Sequence, residues 1–248
     1  MATWWAPEEG PLAFHYAAEL QVIEEQLAID PRWQVLDVGT GRGRFGLHFA
    51  AHGCRVVGVD LNPDMLELAR EAARKRGLEE RFEVRGGDAQ APWNFEDECF
   101  DVVLCMELFD HLPDLGCALR EARRVLRPGG RLIFSYVPSE SLYGALGNAL
   151  RGALRRARPD HLQISRTYSF AAMCARLSDA GLVLERYWGV GLLCLNAQTR
   201  MLPRRRGLGI LDALARAEAK RRAYYATAWL ARHASHVVGF ARRAGGGT

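Results

Sequence analysis

The stretch that decides the fold is Val35-Leu36-Asp37-Val38-Gly39-Thr40-Gly41-Arg42-Gly43. A short, mostly apolar run leads into three alternate glycines, and a helix-forming segment follows. This order predicts a strand, a tight turn and a helix, the opening unit of a doubly wound α/β sheet. Glycine tolerates unusual backbone angles and lets a ligand approach the main chain, so the turn is a candidate ligand-binding loop.

Strand-like and helix-like segments alternate around this stretch. An amphipathic helix is predicted over 13–29, before the first strand. The core is then predicted as strand 34–38, helix 45–51, strand 55–59, helix 63–76, strand 81–85, strand 100–105, helix 115–126 and strand 131–137. Later segments are predicted as helices 141–156, 169–180 and 208–231 and as strands 182–188 and 235–241. Alternation at this spacing predicts a mostly parallel sheet with helices on both faces.

The composition is that of a soluble globular protein. The 248 residues include 33 Lys+Arg, 29 Asp+Glu and 49% hydrophobic residues, which excludes disordered, collagen-like and disulfide-rich classes. No apolar run is long enough to predict a transmembrane helix. None of the six cysteines forms a C-x-x-C pair, so we expect reduced thiols and no zinc site. The first basic residue is Arg32, with Glu8 and Glu9 before it, so we expect a cytoplasmic protein without a signal peptide.

Charge is unevenly distributed along the chain. Residues 1–140 contain 15 Lys+Arg and 24 Asp+Glu, whereas residues 141–248 contain 18 and 5. A basic half is typical of proteins that bind nucleic acid, an anionic membrane surface or an acidic substrate. The basic segment 200–206 is a candidate contact with lipid or RNA phosphates. Solvated helix faces are the alternative explanation.

Three acidic residues follow three successive predicted strands: Asp37, Asp60 and Asp88. Asp60 lies about 20 residues beyond the glycine loop, where an acid accepts hydrogen bonds from ribose hydroxyls. Asp88 is placed to accept from an adenine amino group. The sequence also fits the dinucleotide pattern G-x-G-x-x-G from Gly41 to Gly46, so a dinucleotide is the alternative ligand. A carboxylate at Asp37 would repel a pyrophosphate, which favours a cationic ligand without phosphate.

Taken together, these motifs resemble the class I S-adenosylmethionine-dependent methyltransferases. The resemblance rests on Asp37-x-Gly39-x-Gly41-x-Gly43, Val59-Asp60, Gly87-Asp88-Ala89, the strand 100–105 and Leu126-Arg127-Pro128-Gly129-Gly130. It implies a seven-stranded, mostly parallel sheet whose last strand, 236–242, is antiparallel. It also implies S-adenosylmethionine as cofactor, whose sulfonium is a cation. The residues implied around that cofactor are Asp37, Gly39, Thr40, Gly41, Gly43, Asp60, Leu61, Asp88, Ala89 and Met106.

The segment after the fourth strand, Met106-Glu107-Leu108-Phe109-Asp110-His111-Leu112, resembles a branch of this family that contains ubiquinone-biosynthesis and natural-product O-methyltransferases. Some relatives hold a divalent metal here, which makes Glu107, Asp110 and His111 candidate ligands. We do not predict a metal, because this segment more often has a structural role or lines the substrate pocket. His111 is the first candidate general base, and a buried, hydrogen-bonded histidine is the alternative. His161, Tyr136 and Tyr143 are further candidates.

The predicted organisation is one domain, 1–248, built around a cofactor-binding core at 31–138. Segment 1–30 is predicted to form a helical flap, in which Trp4, Trp5, Phe14 and Tyr16 are candidates to close over the cofactor. Insertions 139–166 and 198–233 are predicted to form a helical substrate lid. Their apolar residues favour a small hydrophobic or amphipathic acceptor, methylated at oxygen, although ordinary lid packing explains most of them.

Two other functions stay open at this stage. The basic half would suit an RNA or protein methyltransferase. No N-P-P-Y-type tetrapeptide follows the fourth strand, which disfavours amino-group methylation like that of the DNA and glutamine enzymes. No separate RNA-binding domain is evident either, so we do not expect a nucleic-acid partner. A non-catalytic cofactor-binding protein is the third alternative. The sequence leaves the acceptor and the oligomeric state open.

Overall fold

The computed structural model describes residues 13–141, 166–191, 224–226 and 228–244. The chain forms two compact units. The larger unit contains 27–135, 171–186 and the chain from 239 onward, and the smaller unit contains the chain up to 26 together with 136–170 and 187–238. The strands are β1 (Gln34–Val38), β2 (Arg55–Asp60), β3 (Phe82–Gly86), β4 (Phe100–Cys105), β5 (Leu126–Tyr136), β6 (Leu182–Val190), β7 (Tyr224–Tyr225) and β8 (His236–Arg243).

In the described part of the chain, six helices and one short 3₁₀ turn lie before and between the strands. The helices are α1 (Ala13–Gln26), α2 (Arg44–Ala51), α3 (Pro63–Arg76), α4 (Leu115–Val125), α5 (Phe170–Asp179) and α6 (Ala228–His233), with a 3₁₀ turn over Phe109–His111. Sequence chemistry sets several of the ends. Asn62 accepts a hydrogen bond from the Asp64 amide at the start of α3, and Gly77 ends that helix with a φ of 65°.

The sheet has the predicted architecture. Its strand order is β3-β2-β1-β4-β5-β8-β6-β7, so the seven predicted strands are all present, and β7 is an added edge strand of two residues. The pairs β1–β2, β1–β4, β2–β3 and β4–β5 are all parallel. Buried apolar side chains fill the centre of β1 and β4, because a parallel strand is covered on both faces.

Two predicted boundaries in the core are wrong. β5 begins at Leu126, within the predicted helix 115–126, and it includes Pro128-Gly129-Gly130, which lies before the predicted strand 131–137. Leu126 pairs with Phe100, and after a register shift Arg131 pairs with Val102, so the intervening residues form a bulge inside the strand. Gly129 adopts a φ of 79° there.

Other helix and strand limits also differ from the predictions. α1 ends at Gln26 rather than at 29, and β6 continues to Val190 rather than stopping at 188. The predicted helix 208–231 is wrong at Tyr224–Tyr225, which pair antiparallel with Val190 and Gly189 as β7. Residues 208–223 of that predicted helix lie outside the described residues, as do residues 142–156 of the predicted helix 141–156. None of the described helices is long and apolar enough to span a membrane.

Candidate functional site

The glycine loop lies over the carboxyl end of β2 in the larger unit. The amides of Gly39 and Thr40 both donate to the Val59 carbonyl, at 2.7 and 2.9 Å. The Gly41 amide donates to Asp60 Oδ2 at 2.8 Å, and the Gly43 amide donates to the Thr40 carbonyl at 2.8 Å. Protein acceptors therefore engage four backbone N–H groups of this loop.

Glycine is required at this loop for two different reasons. Gly39, Gly41 and Gly43 have φ values of 71°, 54° and 81°, in the left-handed region that side chains disfavour. A Cβ at Gly39 would also lie 2.8 Å from Leu108 Cδ1. A Cβ at Gly41 would meet nothing closer than 4.0 Å, so that residue presents its main chain to open space, where a ligand can approach.

Asp37 holds the loop against helix α2. Its side chain is buried, and Oδ2 accepts from Thr40 Oγ1 at 2.7 Å and from the Gly46 amide at 3.0 Å. Burial raises the pKa of Asp37 to about 6, although the two hydrogen bonds lower it. The structure thus gives Asp37 a role that the sequence did not reveal, as an internal anchor of the loop.

Asp60 closes the loop from the end of β2. Its Oδ2 accepts from Gly41, and its Oδ1 accepts from the Asn62 amide at 2.9 Å. Each carboxylate oxygen has two lone pairs, so each can still accept a hydroxyl. The next side chain, Leu61, is 73% exposed, which is unusual for a leucine beside a buried strand. An acid that can accept hydroxyls beside an open apolar surface fits a ribose and a purine.

A cavity of about 160 Å³ opens where β1, β2 and β3 end. Apolar side chains form most of its wall, and one acidic and one basic residue, Asp88 and Arg85, also line it. Ala89 is buried behind Asp88, and its carbonyl accepts from Trp93 Nε1 at 3.3 Å. A flat ring fits a mostly apolar cavity of this kind, and Asp88 is the lining residue that could accept from an exocyclic amino group. The lining residues are Leu36, Val38, Val59, Arg85, Gly86, Gly87, Asp88, Pro92, Trp93, Asn94 and Phe95.

The segment after β4 forms the next side of this edge. Met106 is buried, and Glu107 adopts a φ of 55°, which is rare for a residue with a side chain. The Glu107 amide donates to Ser135 Oγ at 2.9 Å, which holds this conformation in place. Leu108, next in the chain, covers Gly39. Strained backbone of this kind is concentrated at functional sites.

The catalytic candidates differ in accessibility. His111 ends the 3₁₀ turn and is exposed as a residue, yet enough protein surrounds its imidazole to lower its pKa, while Glu107 acts in the opposite direction. The ring is therefore neutral at pH 7 and able to accept a proton. Tyr136, the last residue of β5, is fully buried in the smaller unit. His161 and Tyr143 lie outside the described residues.

The metal candidates do not form a cluster. Asp110 is buried and Glu107 is half-buried, whereas His111 faces solvent. Across the part of the chain that the structure describes, no three His, Cys, Asp or Glu side chains are arranged to hold a metal ion. In the predicted flap, Tyr16 is buried in α1, whereas Trp4, Trp5 and the Phe14 side chain lie outside the described residues. The basic segment 200–206, a separate candidate contact, also lies outside them.

Sequence reasoning missed three contributors to this edge. Leu108 reaches Gly39 only through the tertiary fold, and no local pattern predicts that contact. Trp93 lines the cavity, and the aromatic pair Trp93 and Phe95 shortly after Asp88 was a signal that could have found it. The ion pair between Glu121 and Arg124 on α4 was visible only as an ordinary i, i+3 pair.

Comparison with known proteins identifies the same region. A methyltransferase-domain family matches residues 36–134. Two curated relatives are ubiquinone biosynthesis O-methyltransferases. The one from Hahella chejuensis is 35% identical over 149 residues, covering 58% of this chain and 61% of the relative. The one from Coxiella burnetii is 32% identical over 141 residues, covering 54% and 56%. The chain thus spans little more than half the length of these relatives.

A solved structure extends the comparison to nearly the whole chain. The S-adenosylmethionine-dependent methyltransferase from Mesorhizobium loti superimposes with a TM-score of 0.63, covering 93% of this chain and 100% of the other at 19% identity. At that identity the likeness concerns the fold. The matched residues, 36–134, include every cofactor residue that the motifs imply, most of them in the loops that follow the strands. Residues 36–134, about two fifths of this chain, are therefore similar to a methyltransferase domain.

Proposed function

We propose that this protein transfers a methyl group from S-adenosylmethionine to an oxygen atom of a small hydrophobic or amphipathic acceptor. The observation that carries the proposal is the arrangement of Asp60, exposed Leu61 and the cavity rimmed by Asp88 around the glycine loop. The residues fit this cofactor in chemistry. Asp60 would hold the ribose, the cavity would take the adenine, and the acidic edge suits a cation.

The state of the loop amides supports a sulfonium ligand over a dinucleotide. A pyrophosphate is bound by backbone N–H groups that point at it from a glycine loop and a helix N-terminus. Here the amides from Gly39 to Gly41 and that of Gly43 already donate to protein oxygens. The buried carboxyl of Asp37 stands beside them. Both features disfavour a phosphate.

When bound, S-adenosylmethionine supplies an electrophilic methyl group, so the protein contributes orientation and removal of water. In our proposal, Asp60 and the cavity fix the nucleoside, and the glycine loop brings its main chain close to the bound cofactor. His111 accepts the proton from the acceptor hydroxyl, for which its neutral ring is suited. The oxygen acceptor is supported by the two curated O-methyltransferase relatives.

Isothermal calorimetry with S-adenosylmethionine and NAD is the first test. We expect micromolar binding of the former and none of the latter, and the opposite result would refute the proposal.

The second test follows transfer of a labelled methyl group to catechol and 4-octylcatechol. We expect 4-octylcatechol to be the better acceptor, and equal rates would refute a hydrophobic acceptor site. Label appearing only in RNA or protein would favour the alternative function.

His111→Asn tests the proposed base. Loss of a general base lowers kcat by roughly 10²- to 10⁴-fold, while cofactor affinity should stay unchanged because His111 is not assigned to the nucleoside. An unchanged kcat would exclude His111 as the base. A cytoplasmic location belongs to the same proposal, and it agrees with the five cysteines in the described part of the chain, none of which forms a disulfide there: Cys54, Cys99, Cys105, Cys117 and Cys174.

A further inference from the structure

The segment between β3 and β4 forms one wall of the cavity, and it contains no regular helix or strand. Within it, Pro92, Trp93, Asn94 and Phe95 line the cavity, and Trp93 is only 7% exposed. A cavity wall made of irregular chain depends on outside contacts for its shape, because no ladder of backbone hydrogen bonds fixes it. Helix α4 supplies several of those contacts, and the Arg85 guanidinium also lies over the Phe95 ring.

One ion pair on α4 engages both polar groups of the Trp93 main chain. Glu121 Oε2 accepts from the Trp93 amide at 2.7 Å, and Arg124 Nη2 donates to the Trp93 carbonyl at 2.8 Å. Arg124 Nη2 also lies 2.8 Å from Glu121 Oε2, so the two side chains hold each other as they hold the tryptophan. Both are largely shielded, with 16% and 30% of the side chains exposed.

The same arginine continues along the wall. Arg124 Nη1 donates to the Phe95 carbonyl at 2.8 Å and to Asp97 Oδ1 at 2.7 Å. At the other end of the segment, Cys117 Sγ on α4 donates to the Gln90 carbonyl at 3.0 Å. The hydrogen bond from Arg124 lowers the pKa of Glu121, so the carboxylate is ionised at neutral pH. Charge-assisted bonds of this kind are the strong ones.

We propose that Glu121 and Arg124 are positioning residues for the adenine subsite: they hold the backbone of Trp93 so that the cavity is formed before the nucleoside arrives. This inference rests on the proposed function, because it assigns the cavity to adenine. A preformed wall spares the ligand the ordering of a mobile segment, which is a substantial part of the free-energy cost of binding. The pair touches no reacting atom.

Arg124→Met removes the guanidinium and keeps an apolar stem of similar length. We expect Kd for S-adenosylhomocysteine to rise roughly three- to tenfold, the amount that immobilising one or two side chains costs. KM for S-adenosylmethionine should rise in parallel while kcat stays within twofold. Arg124→Lys keeps the charge but cannot reach the Trp93 and Phe95 carbonyls together, so it should recover only part of the affinity.

The chain offers a matched control in the pair Glu67 and Arg70 on α3. It has the same i, i+3 spacing, with Arg70 Nη1 3.2 Å from Glu67 Oε2, but both side chains are about half exposed or more and neither lines the cavity. Arg70→Met should leave Kd unchanged within twofold. An equal rise in both variants would overturn the inference, because it would reflect a general loss of charge.

A double-mutant cycle with Trp93→Ala separates positioning from general destabilisation. If Arg124 acts chiefly through Trp93, Arg124→Met should raise Kd by a clearly smaller factor in the Trp93→Ala background than in the wild type, and its bond to the Phe95 carbonyl accounts for what remains. Full additivity would overturn the inference, as would an unchanged Kd in Arg124→Met alone. Failure of the proposed function looks different, since the wild-type protein itself would then not bind S-adenosylhomocysteine.

Discussion

Substitution of Asp60 should separate ligand binding from folding. Its Oδ2 accepts from Gly41 at 2.8 Å and its Oδ1 accepts from Asn62 at 2.9 Å, so both oxygens are already oriented. One lone pair on each oxygen is left over for a ribose hydroxyl. Asp60→Ala therefore removes two local bonds from the protein and two charge-assisted bonds from the complex.

The two losses differ in size. A hydrogen bond to a charged group contributes about 1.5–3 kcal/mol, so losing two ribose contacts weakens binding by about 3–6 kcal/mol. That corresponds to a rise in Kd of roughly two to four orders of magnitude. The Gly41 and Asn62 amides lie near the surface, where water replaces the carboxylate, so stability should fall by about 1–2 kcal/mol. Asp60→Asn, which keeps one acceptor oxygen, should fall between wild type and Asp60→Ala.

Calorimetry with S-adenosylhomocysteine measures the first effect, and urea unfolding of the ligand-free protein measures the second. Asp30→Ala is the matched control, because Asp30 Oδ1 accepts from the Arg32 amide at 2.9 Å, two residues on, just before β1. It removes the same kind of local bond before β1, together with the exposed ion pair to Arg32, whereas Asp60 ends β2. Asp60→Ala that binds as tightly as Asp30→Ala would refute the ribose assignment.

Three further substitutions test the site. The folded pKa of Asp37 is about 6, above its ordinary 3.8, so the stability that this group contributes is present below pH 4 and is lost as pH rises through 6. In urea titrations, the free energy of unfolding of the wild type should therefore fall by about 2–3 kcal/mol relative to Asp37→Asn across that window, and a difference that stays constant with pH would contradict this. Gly39→Ala should cost about 1 kcal/mol more than Gly77→Ala in the same assay, since both have φ near +70° but only the former meets a leucine side chain at 2.8 Å; equal losses would mean that the leucine moves aside. Leu61→Ser should raise Kd for S-adenosylhomocysteine roughly fivefold without lowering stability, because the leucine side chain is 73% exposed in the ligand-free protein. The control Val183→Ser, whose side chain is 51% exposed on β6, should leave Kd unchanged, and identical Kd values for the two variants would count against a ligand on Leu61.

The elements that local chemistry determines could be predicted from the sequence. Helix α3 has the predicted limits because Asn62 caps its start and Gly77 adopts the left-handed conformation that ends it. β4 also has the predicted limits, because a nearly continuous apolar run, buried as a central parallel strand should be, fills it. Likewise, an acid after each strand had to lie at the shared edge once the strands were parallel and adjacent.

Long-range pairing decided the parts that were predicted wrongly. Pro128-Gly129-Gly130 is typical of a turn, and it does form an irregularity. Leu126 is nevertheless drawn into the sheet by its partner Phe100, so the strand begins before the irregularity rather than after it. In the same way Tyr224 and Tyr225 continue a helical pattern but pair with the end of β6. Local sequence carries no record of such partners.

The role of Asp37 shows why motif position alone does not assign chemistry. An acid before a glycine loop was expected beside the ligand, yet Oδ2 is bonded to Thr40 and to Gly46. A Cβ at Gly46 would lie 2.6 Å from Phe82 Cε2 and 2.9 Å from that same oxygen, so the glycine lets α2 pack closely on the sheet and also lets the carboxyl reach the helix backbone. The G-x-G-x-x-G spacing is met, but its last glycine makes room for an internal carboxylate. In a dinucleotide fold the third glycine provides close helix–strand packing while the loop amides remain available to phosphate. Here the loop amides donate to Val59, Asp60 and Thr40, and the Asp37 carboxyl accepts from the Thr40 hydroxyl and the α2 backbone, so in the proposed function the acids at the strand ends recognise a cationic nucleoside.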